Sequence, residues 1–314
     1  MSNYFAVDPM SPGTVAAFLG VWRSLSQAHA GLRLYAMVDA AFDEQQFARH
    51  LDRHEGAAVS LYAGTELAEL DSIAPWLLEL NAAGSPALTQ QIRQLAELRG
   101  TRPMLSFFAT RCDLGSLQRH FQSFLFTAID GDLRWMLRLA DTRILESLSR
   151  VLSPLQIDAL FPGDIHVWFP LRRDGQAAVR SIDPTRSDSK GGGPMAFDAK
   201  QFEAMVEAGE ADLVVTHLTL SNPRCFDGAR PAEIHGFIDE QVRRAHAHGI
   251  EDARSLETYC VAALALGARF DEQPEFAFAI TQAVPVPGSL VERFADIPDQ
   301  TWRQVKASLG SGDS

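Results

Sequence analysis

His50 and His54 stand four residues apart. On a helix that spacing puts two imidazoles on one face, where they could share a divalent metal. A zincin pattern also needs a Glu directly after the first His as general base, and that position is Leu51. The spacing suggests no third ligand, so the expectation is two helix-surface histidines and no metal. His246 and His248 are two apart and point to different sides of a helix. A serine nucleophile on a strand–helix elbow requires G-x-S-x-G, which does not occur; Gly84-Ser85-Pro86 reads instead as a helix N-cap. Gly191-Gly192-Gly193 precedes Pro194 and lacks the Lys-Ser/Thr pair of a phosphate loop. Cys112, Cys225 and Cys260 are scattered, odd in number and form no C-x-x-C. They argue against a disulfide framework or zinc knuckle and suit a reducing compartment. Arg111 beside Cys112 would favour a thiolate, but an ordinary semi-buried thiol is the simpler reading.

Asp39 closes the first apolar strand and could serve as a carboxylate at a sheet edge, near the Gly64 loop. It has no companion acid, base or metal cluster nearby in sequence, so a capping or loop-bonding role is expected. Arg138, Asp141 and Arg143 form a polar cluster. Asp141 stands where a strand ends and a helix starts, so its carboxylate can accept first-turn N–H groups while an arginine pairs with it. These residues give no catalytic set and no cofactor site. The expectation is a protein that is not an enzyme; the alternatives are an enzyme of unknown reaction around Asp39 and Gly64, or a generic interaction scaffold.

The elements that would position these residues are legible from period and punctuation. Residues 32–38 and 57–62 read as strands, and Asp43-x-x-Gln46 opens a helix bearing Phe47 and Leu51. Ser85-Pro86 caps a helix with Leu88, Ile92, Leu95 and Leu98 at helical spacing. A strand over 103–109 and a helix marked by Leu117 and Phe121 follow. Asp130-Gly131 and Asp174-Gly175 each divide two apolar runs, the signature of a hairpin with a type I′ turn. Between the hairpins, helices start at Asp141 and at Ser153-Pro154-x-Gln156. Residues 183–196 are polar and glycine-rich and read as a flexible linker. Beyond them the period is helical: Asp198 caps a run with Phe202, Met205 and Val206, and two further stripes follow through Ile234–Ala245 and Leu256–Leu264. The predicted organisation is an N-terminal extension (1–31), an α/β lobe with a mixed sheet, hairpins and flanking helices (32–182), the linker, a mainly α-helical C-terminal lobe (197–309) and a tail (310–314).

At 314 residues the chain is long enough for two domains and a large core without staples. The formal charge of −12 disfavours nucleic acid, which needs a basic face to displace counterions. The N-terminus has no basic segment followed by an apolar core, and no apolar run approaches the ~20 residues that span a bilayer. Cytoplasmic residence, without signal peptide or membrane insertion, is expected.

Several short stretches, in order, resemble one family. Leu34-Tyr35-Ala36-Met37-Val38-Asp39-Ala40 is similar to the "LYALLDGA" opening of the type VI secretion effector chaperones, the Tec or Tap adaptors. Leu61 to Glu66 and Ala74-Pro75-Trp76-Leu77 resemble its "GT" and "aPwLv" stretches. Met136 to Leu145 resembles "vlFRfyDPRvL", with Thr142 in place of the Pro. Ser153-Pro154-x-Gln156 and Leu160-Phe161-Pro162-Gly163 resemble "tpeQ" and "fFGP", the last with its Gly-Pro order reversed. The resemblance covers about residues 32–170. It implies a protein of a Gram-negative cytoplasm that binds a cognate toxic effector. It also implies that the effector is loaded onto the valine–glycine repeat spike protein VgrG, in some members through a PAAR-type tip. It carries no catalytic residues; Asp39, Gly64, Pro75 and Asp141 fit turns and caps. Candidate partner contacts are the aromatic and Arg side chains before the linker, Trp168, Phe169, Arg172 and Arg173, together with Trp302 near the C-terminus. Strand alternation requires one of Trp168 and Phe169 to point inward.

Overall fold

The structure is a computed structural model that describes residues 4–129, 133–163, 165–180, 195–222 and 224–309. Its contacts divide into two compact units, Val7–Glu207 and Ala208–Ser314, the latter joined by Met1–Ala6. The division falls inside one helix, between Glu207 and Ala208. Of the expected linker, residues 183–194 lie outside those described. Met195 and Ala196 belong to the α/β unit, where Met195 is buried and Ala196 pairs with Ala128.

The α/β unit is built on a six-stranded antiparallel sheet. Its strands are β1 (Arg33–Asp39), β2 (Ala58–Ser60), β3 (Pro75–Glu79), β4 (Leu105–Thr110), β7 (His166–Pro170) and β8 (Ala177–Arg180), in the order β2-β3-β1-β4-β7-β8. Strands β5 (Phe126–Ile129) and β6 (Leu133–Met136) pair antiparallel, and β5 pairs in parallel with the short β9 (Ala196–Phe197) to form a smaller mixed sheet. The first hairpin is therefore present; its turn, 130–132, lies outside the described residues.

Alternation along each strand sends side chains into two separate cores. Leu34, Ala36, Val38, Phe107 and Trp168 face α1 (Pro12–Ala28), α2 (Glu44–Leu51) and α3 (Pro86–Arg99). Tyr35, Met37, Phe108, Val167 and Phe169 face the other way, toward α4 (Leu114–Gln122), α5 (Thr142–Val151), α6 (Pro154–Leu160) and the small sheet. Both sheet faces are thus covered.

The helix starts follow the side chains that cap them. Asp43, Ser85, Asp113, Asp141 and Ser153 each accept a first-turn N–H, and Ser153 with Gln156 completes a capping box. Helix α1 occupies most of what reads in sequence as an extension. It starts with the same signal as α3, Ser11 at N-cap and Pro12 at N1, and buries Val15, Phe18 and Trp22. Phe18 stacks on Phe107 at 4.2 Å and meets Trp168 at 4.7 Å. The β7–β8 connection is not the expected type I′ turn. The loop runs from Leu171, whose N–H donates to Gln176 O, and only Gly175 has positive φ. The Asp174 carboxylate serves another purpose, accepting the Ser11 N–H at 2.9 Å and the Thr14 hydroxyl at 2.7 Å. It thereby pins the start of α1.

The second unit is helical. It comprises the rest of α7 (Ala199–Ser221), then α8 (Pro231–Ala247), α9 (Ala253–Leu266), α10 (Pro274–Ala283), α11 (Leu290–Ala295) and α12 (Asp299–Leu309). Ile234, Ile238, Val242, Leu256, Tyr259 and Cys260 are in its core, as their spacing predicts. Ala6 is also buried there, and Tyr4 stacks on Phe226 at 5.7 Å.

Candidate functional site

The region around Asp39 is a structural junction. Asp39 ends β1 and has a relative exposure of 0%. Its Oδ1 accepts Arg138 Nη2 at 2.5 Å and the Ala41 N–H at 3.1 Å, and its Oδ2 accepts Arg138 Nε at 3.2 Å. Burial raises the carboxyl above the usual range, against the opposing pull of Arg138. Asp141 accepts its own helix's Arg143 N–H at 2.9 Å and a forked contact from the Arg143 guanidinium at 2.7–3.2 Å. Arg143 in turn lies 5.7 Å over the Phe42 ring. Backbone bonds lock the same corner: Asp39 N–H donates to Met104 O, Ala40 N–H to Ala74 O and Thr142 N–H to Pro103 O. Pro75 opens β3 opposite Asp39, a position that needs no ladder N–H from it. Gly64 has φ +73°, in a turn whose carbonyls are held by Gln118 and Gln122 of α4. A carboxylate with no exposed surface and both oxygens engaged meets no substrate, so the geometry supports the capping role for Asp39.

Burial pushes the Cys260 thiol up to about 12 and raises Cys225. His246 Nε2 lies 2.6 Å from Glu210, and His248 Nε2 lies 2.9 Å from Asp271. Asp271, which the sequence reading did not single out as a site, is the hub of the helical unit. It also accepts the Tyr259 hydroxyl at 2.6 Å and Arg244 Nη2 at 2.6 and 2.8 Å. Burial works to raise its carboxyl, but these donors hold it below the usual range. Among the described residues no group of three or more His, Cys, Asp or Glu side chains is placed to hold a metal ion.

The predicted contact residues divide. Trp168 and Phe169 are both core side chains, at 6% and 4% exposure, because helices cover both faces of β7 and alternation sends neither to solvent. Arg172 is half-buried and Arg173 is exposed on the hairpin loop. Trp302 is half-buried, edge-on to Phe276 at 4.8 Å.

A surface cleft borders Trp168. It encloses about 480 Å³ and runs between α1 and the β7–β8 edge of the sheet, lined by Phe18, Val21, Trp22, Leu25, Trp168 and Val179. Val179 sits on the edge strand and is 55% exposed, and Val21 on α1 is 41% exposed. An apolar cleft of this size takes apolar side chains rather than a reacting group.

The architecture so far is an α/β unit with a buried Asp–Arg junction and an apolar surface cleft, followed by a helical unit. Residues 34–159 match the model of a family described as a domain of unknown function (DUF4123). The match begins in β1 and ends in α6, and so includes Asp39, Gly64, Pro75, Arg138 and Asp141. Comparison with curated proteins and with solved structures gives no match. No helix among the described residues is long and apolar enough to cross a membrane.

Proposed function

We propose that this chain is an effector-loading adaptor of type VI secretion: it binds a cognate toxic effector in the cytoplasm and passes it to the VgrG spike, acting by binding without turnover. The observation that carries this reading is the ordered run of motifs from Leu34 to Gly163, most of which falls in the matched segment 34–159. Two features support it. The polar residues of those motifs are committed to caps and to the Asp39–Arg138 pair, which is what a scaffold requires. The apolar cleft beside Val179 offers a client a place for side chains that would otherwise aggregate in water. The enzyme alternative finds no support at Asp39, whose carboxylate is buried and fully paired.

The test is co-expression with the toxin encoded beside this gene. The two chains should co-purify, and the toxin should be poorly soluble alone. Val21→Glu with Val179→Glu should weaken the complex at least tenfold while leaving the fold intact, since both positions are exposed. A toxin that is soluble alone and never co-purifies would reject the adaptor reading.

A further inference from the structure

A second large cleft of the α/β unit lies between α2 and α3 and encloses about 500 Å³. Its floor is Leu80, Leu95 and Leu98, and the wall formed by α2 and the turn after it carries Arg49, His50 and Arg53. Arg49 lies in the last turn of α2 and Arg53 in the turn just past its end, and both line the cleft. Neither forms an ion pair with another described residue. The α3 wall presents Gln90 and Gln94, one turn apart. Glu55 and Glu97 are the carboxylates of the rim.

His50 reports the electrostatics of the α2 wall. Burial first, then the neighbouring His54 and Arg53, push its imidazole down to about 4. No carboxylate offsets them, although the chain as a whole carries a formal charge of −12. His54 is lowered as well, chiefly by burial, with the backbone of Glu79 and Ala57 and the charge of Glu55 opposing. At neutral pH both rings are uncharged, and the two arginines outnumber the one carboxylate of this wall, Glu55, with which neither forms an ion pair.

We propose that this cleft binds a small oxyanion ligand, a polycarboxylate or a phosphate ester, with its charge on Arg49 and Arg53 and further oxygens on the Gln90 and Gln94 amides. Guanidinium groups suit such oxygens because their planar N–H forks match carboxylate and phosphate geometry. The volume fits a metabolite-sized molecule rather than a lone ion. The leucine floor accepts its carbon skeleton, and the Glu97 carboxylate on α3 disfavours the anionic end on that wall. A bound anion favours the imidazolium form of His50, so ligand binding and His50 protonation are coupled.

The experiment follows the histidine ring resonances of the full chain by NMR. Citrate and inorganic pyrophosphate are titrated separately at constant ionic strength, with sodium chloride as the balancing salt. The expected result is a saturable shift of the His50 and His54 signals, with the His50 midpoint rising by at least about one pH unit. Saturation by citrate alone assigns carboxylates, and by pyrophosphate alone assigns phosphoryl groups; either supports the site. Arg49→Gln with Arg53→Gln should abolish the response and leave the ligand-free melting temperature unchanged. Absence of saturation with both probes overturns the proposal, as does an unchanged response in the double variant.

Discussion

Replacing Arg138 by Met removes the counter-charge of Asp39 and keeps much of the aliphatic stem. Asp39 then retains the Ala41 N–H as its donor and has no exposed surface. Breaking a buried pair from one side costs about 3–5 kcal/mol in general. A second bound comes from protonation: the carboxyl can escape by taking a proton. From an ordinary value of 3.8 that costs about 1.4 kcal/mol per pH unit, or about 4 kcal/mol at pH 7 and about 1.6 kcal/mol at pH 5. The Arg138 side chain is 34% exposed, so solvent already screens part of the pair. The expected loss is therefore about 3 kcal/mol at pH 7 and about 1.5 kcal/mol at pH 5. Urea melts at the two pH values measure it, and hydrogen exchange of β1 and β4 locates it in the α/β unit. Asp39→Asn added to Arg138→Met should recover at least half the loss, because the orphaned charge is gone. A loss below about 1 kcal/mol at pH 7, or one independent of pH, would refute the buried-pair argument.

Other perturbations separate packing from capping and titration. Phe18→Ala should cost about 3–5 kcal/mol in the α/β unit, measured by thermal or urea melts, because it removes a ring packed between Phe107 and Trp168. An extension that packed on nothing would show no change. Asp141→Asn should be mild because Asn also caps, whereas Asp141→Ala should cost about 1–2 kcal/mol by the same melts. Equal losses in the two would show that charge, through Arg143, outweighs the cap. His50 supplies a pH slope. Its folded value of about 4 lies below the ordinary 6.5, so its contribution is complete above pH 6.5 and is lost as pH falls toward 4. The interval allows at most about 3 kcal/mol, and partial exposure of the ring reduces this to about 1–2 kcal/mol. His50→Gln should flatten that segment of the stability–pH curve.

What the sequence made legible was local. Caps at Asp43, Ser85, Asp141 and Ser153 are signalled by a residue type and its neighbours within one turn, and each forms as expected. Helix α1 carries the same signal at Ser11-Pro12, followed by Val15, Phe18 and Trp22, and could have been found by the rule that found α3. Strand β3 was harder to see. Its run Pro75–Glu79 packs on both faces and shows no alternation, so it reads as a motif rather than a strand. The same cover over both faces buries both Trp168 and Phe169, where alternation alone requires only one to point inward. Long-range pairings leave no local trace at all. Asp39 meets Arg138 across 99 positions, and Asp174 meets Thr14 across 160. The two clefts arise from helix placement against the sheet, so neither was visible before the fold was known.

The adaptor reading is tested most directly by deleting this gene and following export of the effector encoded beside it, with intracellular effector levels monitored and a second effector of the same machine as control. The account predicts that export of the neighbouring effector stops, that the control effector is still exported, and that the wild-type chain restores delivery while Val21→Glu with Val179→Glu does so poorly. Normal export of the neighbouring effector in the deletion strain, with no complex detectable in the cytoplasm, would contradict it.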